Sequence, residues 1–96
     1  MPNTTELREQ IESIDEEIID LIATRMEITD ELARVKKESS QEYWDKKKEQ
    51  EVINRYLELC EEVSLSAGEA RMIAEVLLKI SKDRQKQLFD RDSARL

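Results

Sequence analysis

The chain has 96 residues, 41% of them charged and 4% aromatic, with a formal net charge of −7. That length bounds it to one domain, residues 1–96, and the acidic balance argues against nucleic acid as a partner, so any anionic ligand must meet a local cationic pocket. There is no histidine, one cysteine, one glycine and one proline, which removes the usual general base and metal ligand, excludes an internal disulfide, and describes a helical protein with few tight turns.

The first helix is predicted from about Thr5 to Glu38. Asn3 and Glu6 make a capping-box pattern at its start, with Thr4 or Thr5 as alternative caps. Leu7, Ile11, Ile14, Ile18, Leu21, Arg25, Ile28, Leu32 and Val35 then follow at alternating four- and three-residue spacing. All but Arg25 are apolar, so the row reads as a buried seam. A guanidinium is costly to bury unless an anion meets it. Arg25 is therefore a cation awaiting a bound anion, half of a structural ion pair, or a side chain that snorkels out to water. Such a helix spans about 50 Å, whereas a compact chain of this size has a radius of gyration near 13 Å. Its protruding half needs cover, which predicts an intertwined homodimer with the two long helices side by side.

Ser39-Ser40-Gln41 interrupts the pattern. A second helix is predicted from about Asp45 to Val63, with Val52, Ile53, Tyr56, Leu57 and Cys60 on one stripe. Cys60 reads there as a small core residue suited to a reducing compartment. Ser66-Ala67-Gly68-Glu69 is a Ser-x-x-Glu capping box that opens a third helix. Its inward residues are expected to be Met72, Ile73, Val76, Leu77, Ile80 and Leu88, and the polar tail Asp90–Leu96 is expected to fray. No apolar run approaches the roughly 20 residues of a membrane span and no signal-peptide pattern is present, so a cytoplasmic protein with no membrane partner is expected.

Polar residues continue the apolar stripes at one edge of the expected core. Arg25, Thr29, Leu32 and Lys36 share a face of the first helix. Lys36 lies about 17 Å beyond Arg25, so two long cationic side chains could lean together over a small anion. Asp45 and Glu49 extend the stripe of the second helix, and Ser81 and Gln85 lie one turn apart on the third. Each has a plainer reading: Asp45 as an N-cap, Glu49 as a first-turn charge favoured by the helix dipole, Ser81 and Gln85 as surface polar groups. Together they gather two cations, two carboxylates and two neutral donors. With no Gly-rich phosphate loop or cysteine cluster, an enzyme built on them would work by positioning and electrostatics, without metal or cofactor.

With these residues in view, the chain resembles the all-helical class of chorismate mutases. The resemblance covers roughly residues 5–89 without gaps. It is carried by Leu7-Arg8-Glu9-Gln10-Ile11 followed by Ile14-Asp15, by Ala23-Thr24-Arg25, by Val35-Lys36, by Tyr43-Trp44-Asp45 through Lys48-Glu49, and by Ser81 followed by Gln85. Each piece is a few common helical residues; the joint spacing is specific. The resemblance implies an all-α fold of three helices per chain, an entangled homodimer, and chorismate as the substrate of a step in aromatic amino-acid biosynthesis. It implies that Arg25 of one chain and Arg8 of the other hold the substrate carboxylates. The spacing agrees, since Arg8 and Arg25 lie about 26 Å apart along one helix. It further implies that Lys36 and Gln85 hydrogen-bond the ether oxygen, that Glu49 and Asp45 bind the ring hydroxyl, and that Ser81 lies near the ring carboxylate. The implied reaction is a one-substrate pericyclic rearrangement that needs no proton transfer, which suits a chain without histidine.

One departure stands out. The family usually has an arginine just before the glutamate of the second helix, and this chain has Lys48, which supplies charge without the planar two-pronged donor. Two rival readings remain. An isochorismate pyruvate-lyase on the same fold would keep the cationic pocket, but Glu49 is a mutase feature by resemblance. A non-catalytic helical dimerisation module would explain the seam but not Arg25 inside it.

Overall fold

Asn3 opens the first helix with a reciprocal cap. Its Oδ1 accepts from the Glu6 N–H at 2.9 Å, and the Glu6 carboxylate accepts from the Asn3 N–H at 3.4 Å. The computed structural model describes residues 1–93, which form α1 (Thr4–Glu38), α2 (Lys46–Glu62) and α3 (Ala67–Ser93). Among the described residues the fold is thus all-α, and no helix is long and apolar enough to cross a membrane. At the start of α3, Glu69 N–H donates to Ser66 Oγ at 3.1 Å and Ser66 N–H donates to Glu69 Oε1 at 2.8 Å. The Ser66 backbone and hydroxyl bonds hold the Glu69 carboxyl below its ordinary pKa. The cap is therefore at full strength at neutral pH and is lost only as acid carries Glu69 through that lowered value. Helix α3 continues to Ser93, into the stretch expected to fray; residues 94–96 lie outside the described residues.

Both earlier helices end in the same way. Ser40 has φ 58° and Ser64 has φ 62°. Ser40 N–H reaches Lys37 O at 3.1 Å and Gln41 N–H reaches Lys36 O at 2.8 Å, while Ser64 N–H reaches Glu61 O at 3.4 Å and Leu65 N–H reaches Cys60 O at 2.9 Å. These are Schellman closures, whose left-handed residue is usually glycine. Serine occupies it twice here, at a steric cost that glycine would not carry. Ser64→Gly, at the α2–α3 turn, should therefore stabilise the protein by about 0.5–1 kcal/mol after glycine's extra unfolded-state entropy is deducted. A urea midpoint that stays put or falls would count against this account of the turn.

Helix α3 is the central element: it packs against both α1 and α2, which make no close backbone approach to each other. The buried apolar residues are Met26 and Ala33 of α1, Cys60 of α2, and Ala70, Ala74, Leu77 and Leu78 of α3. The alanines let the helix axes close, and Leu77, Leu78 and Met26 fill the space between them. Val52, Ile53, Tyr56 and Leu57 are half-buried beside the buried Cys60, as the single stripe on α2 requires.

The long seam of α1 is not what packs inside the chain. Leu7, Ile11, Ile14, Ile18, Leu21, Ile28, Leu32 and Val35 are 47–70% exposed. The row that α1 buries or half-buries is the neighbouring one, Ile22, Met26, Thr29 and Ala33. The expectation for α3 needs the same correction. Leu77 is buried and Leu88 half-buried, but Met72, Ile73, Val76 and Ile80 are exposed. The inward row of α3 is Ala70, Ala74, Leu77, Leu78, Ser81 and Gln85. The chain is correspondingly thin and long, 62 × 26 × 16 Å, with a radius of gyration of 17.2 Å against about 13 Å for a compact chain of this size. A single layer of helices leaves one apolar face of the layer in water.

Candidate active site

The α1–α3 contact changes from apolar to polar as it runs towards the C-terminal end of α1. Met26 is the last large apolar side chain that α1 buries, and Ser81 and Gln85 follow on α3 one turn apart, each only 3% exposed. Their burial rules out the surface reading. Ser81 Oγ lies 3.5 Å from Met26 Sδ, to which it donates, and accepts from Arg25 Nη1 at 3.2 Å. One turn on, Gln85 Oε1 accepts from Lys36 Nζ at 3.5 Å, and the same ammonium donates to the Tyr43 carbonyl at 3.5 Å. Arg25 and Lys36, two of the half-buried cations of α1, are thus each paired with one buried neutral side chain of α3.

Arg25 is half-buried with Ser81 as its hydrogen-bond partner. Among the described residues neither Arg25 nor Lys36 is ion-paired with a carboxylate. The cluster therefore keeps its positive charge in a protein of net charge −7. The Lys36 contacts lie at the long end of hydrogen bonding, so little is given up when a better acceptor arrives. Gln85 turns its carbonyl oxygen to Lys36, which leaves its NH₂ group as the donor end.

The segment between α1 and α2 covers this edge. The Tyr43 ring lies 5.7 Å from the Phe89 ring, and Lys37 Nζ sits 5.5 Å from the Phe89 centroid. Trp44 donates from Nε1 to Glu49 Oε2 at 2.6 Å, and Lys82 Nζ stands 5.7 Å from its ring centroid. Asp45 is the N-cap of α2, its Oδ1 accepting from the Lys47 N–H at 2.9 Å and the Lys48 N–H at 3.4 Å. The plain reading of Asp45 thus accounts for one of its oxygens. Lys48 pairs with Glu51 at 3.3 Å and is 70% exposed. Lys36, Asp45, Lys48 and Trp44 line one open cleft with Leu32, Val52 and Arg55.

The fold therefore brings together Arg25 with Ser81 and Lys36 with Gln85, and sets Lys36, Asp45 and Lys48 around the cleft with Trp44, the partner of Glu49. It does not bring in Arg8, which is exposed on the first turns of α1, about 26 Å from Arg25 along the helix. Sequence reasoning gave no role to Met26, which receives the Ser81 hydroxyl, or to Trp44, which grips Glu49. The spacing of Ile22, Met26, Thr29 and Ala33 is the signal that could have found the first; no signal of periodicity marks the second.

Comparison with known proteins agrees with the geometry. A chorismate mutase from Methanocaldococcus jannaschii is 28% identical over 85 residues, which cover 88% of this chain and 86% of that protein. Residues 7–86 match the family model described as chorismate mutase type II. A cationic helical pocket with no histidine, on a chain that fits this family over most of its length, has one explanation: the chain belongs to the chorismate mutase type II family of isomerases.

Proposed function

We propose that this protein converts chorismate to prephenate, a step towards phenylalanine and tyrosine, in sites shared between the chains of an entangled cytoplasmic homodimer. The observation that carries the reading is the pair of half-buried cations, Arg25 and Lys36, with neutral partners only. Chorismate is a dianion with a ring hydroxyl and an ether oxygen, and each has a counterpart here. Arg25 and Ser81 take one carboxylate; Arg8 of the second chain takes part in holding the other. Glu49, with Asp45 beside it, accepts from the ring hydroxyl. Lys36 and Gln85 donate to the ether oxygen.

The second copy is required twice. The exposed seam of α1 and the exposed row Met72, Ile73, Val76 and Ile80 of α3 leave many large apolar side chains in water, more than a monomer usually leaves exposed. Placing two long helices side by side covers them. The same arrangement carries Arg8 to the partner's Arg25, which it cannot reach within its own chain.

The chemistry follows from these positions. Binding selects the compact diaxial conformer and holds the two reacting ends together, which lowers the entropic part of the barrier. As the C–O bond breaks, negative charge grows on the ether oxygen, and the preorganised Lys36 and Gln85 donors stabilise that charge more than they stabilise the ground state. Enzymatic accelerations begin near 10⁶-fold, about 8 kcal/mol; roughly 3–4 kcal/mol from a key donor leaves the rest to conformational selection. No group gains or loses a proton.

Lys48 is the weak point of this pocket. Its exposed pair with Glu51 is worth about 0–1 kcal/mol, so a substrate carboxylate readily draws it away. Lys48→Arg should leave activity equal or higher, mainly through a lower KM, because a guanidinium binds a carboxylate with two parallel bonds. A large loss in a folded Lys48→Arg protein would mean that the cleft is built differently.

The proposal is tested by incubating the purified protein with chorismate and, separately, with isochorismate, following the absorbance and assaying both prephenate and pyruvate. Prephenate in step with chorismate loss is the expected result. Pyruvate release from isochorismate would instead identify a lyase, and no turnover of either substrate would leave a helical dimerisation module.

A further inference from the structure

Glu49 stands in the first turn of α2 and is half-buried. A glutamate there has several rotamers to choose from, and nothing in the helix itself selects the one that meets Trp44, which lines the cleft. The selection comes from the residue before the N-cap. Trp44 reaches over Asp45 and donates from Nε1 to Glu49 Oε2 at 2.6 Å, a short, charge-assisted bond. An indole N–H can only donate, so the contact holds Glu49 as an acceptor and leaves Oε1 for a ligand. The ring itself is fixed from α3, with Lys82 Nζ 5.7 Å from its centroid. The preceding residue is anchored as well, its carbonyl on Lys36 and its ring against Phe89.

We propose that Trp44 is a positioning residue: its N–H fixes the Glu49 carboxylate so that the free oxygen accepts from the hydroxyl of a ring substrate. The proposal rests on the reading of Glu49 given above and adds the residue through which Glu49 is oriented. Two consecutive loop residues thereby tie both ends of the site, Tyr43 holding Lys36 and Trp44 holding Glu49.

Trp44 is the only tryptophan in the chain, so an isostere can be introduced at this position alone. Replacing it with 3-benzothienylalanine keeps the bicyclic shape and puts sulfur where the N–H was. The kcat/KM for chorismate should fall about tenfold, as expected for a lost bond to a charged group, with unchanged circular dichroism and thermal midpoint. Trp44→Phe should fall at least as far. In a Glu49→Ala background the Trp44→Phe loss should shrink to less than twofold, because residues that act through one another are not additive. An isostere within twofold of wild type, or an equal Trp44→Phe loss with and without Glu49, would overturn the proposal. Failure of the underlying reading looks different: wild-type protein would not turn over chorismate, or Glu49→Ala would be as active as wild type.

Discussion

Gln85→Glu should be nearly inactive at neutral pH and should recover as the solution is acidified. Gln85 is buried, with its carbonyl oxygen on Lys36, and the proposed mechanism uses its NH₂ group as a donor to the ether oxygen. A glutamine donates at any pH, so wild-type activity should be nearly flat through neutrality. Glutamate keeps the shape but donates only when protonated. Its unperturbed pKa is about 4.3, raised by burial and lowered by the Lys36 ammonium. At pH 7 the carboxylate should be mostly ionised, repelling both the bound dianion and the growing oxyanion. The expected loss is about 10²–10³-fold in kcat/KM, the usual cost of removing one such donor. The measurement is a pH–rate profile of both proteins with circular dichroism at each pH. A folded mutant that equals wild type at pH 7, or that gains nothing in acid, would show that Gln85 does not donate to the ether oxygen.

Lys36→Ala should cost at least as much and should not be rescued by pH. The substitution removes a donor and the charge that faces the developing oxyanion, so a loss of about 10³-fold or more in kcat/KM is expected. The drop should fall mainly on kcat, because the charge on the ether oxygen exists only as the bond breaks. The Tyr43 carbonyl also loses its partner, and roughly 1 kcal/mol of stability should go with it. Activity within tenfold of wild type in a folded Lys36→Ala protein would move the oxyanion stabiliser elsewhere.

The sequence allowed much of this to be read, and where it misled the reason is physical. Helix ends were legible because caps are local: Asn3 with Glu6 and Ser66 with Glu69 make the bonds their spacing demands. The stripe assignments on α1 and α3 were not, because an apolar row that stays exposed on the chain and one that packs within it have the same three- and four-residue spacing. The strongest apolar row of α1 is exposed, while the weaker row with Met26, Thr29 and Ala33 does the internal packing. The exposed row carries the large aliphatic groups, whereas close packing on α3 is served by Ala33. Arg25 was conspicuous because it breaks an apolar row. Ser81 and Gln85 were ambiguous until their burial was seen, since polar residues on a helix are ordinarily solvated. Trp44 carried no periodic signal, because its role depends on a loop crossing back to the first turn of α2.

The account stands or falls on sites built from two chains, and subunit exchange measures this directly. Arg8→Ala and Arg25→Ala proteins should each be almost inactive as homodimers. Mixed in equal amounts and allowed to exchange, half of the dimers should be heterodimers, each with one site that has both arginines and one that has neither. Chorismate mutase activity should then rise to about a quarter of the wild-type value per chain, the fraction that a two-fold assembly with shared sites dictates. Heterodimers confirmed by native mass spectrometry that recover no activity would contradict the shared site, and with it the reason that Arg8 and Arg25 occur on one helix about 26 Å apart.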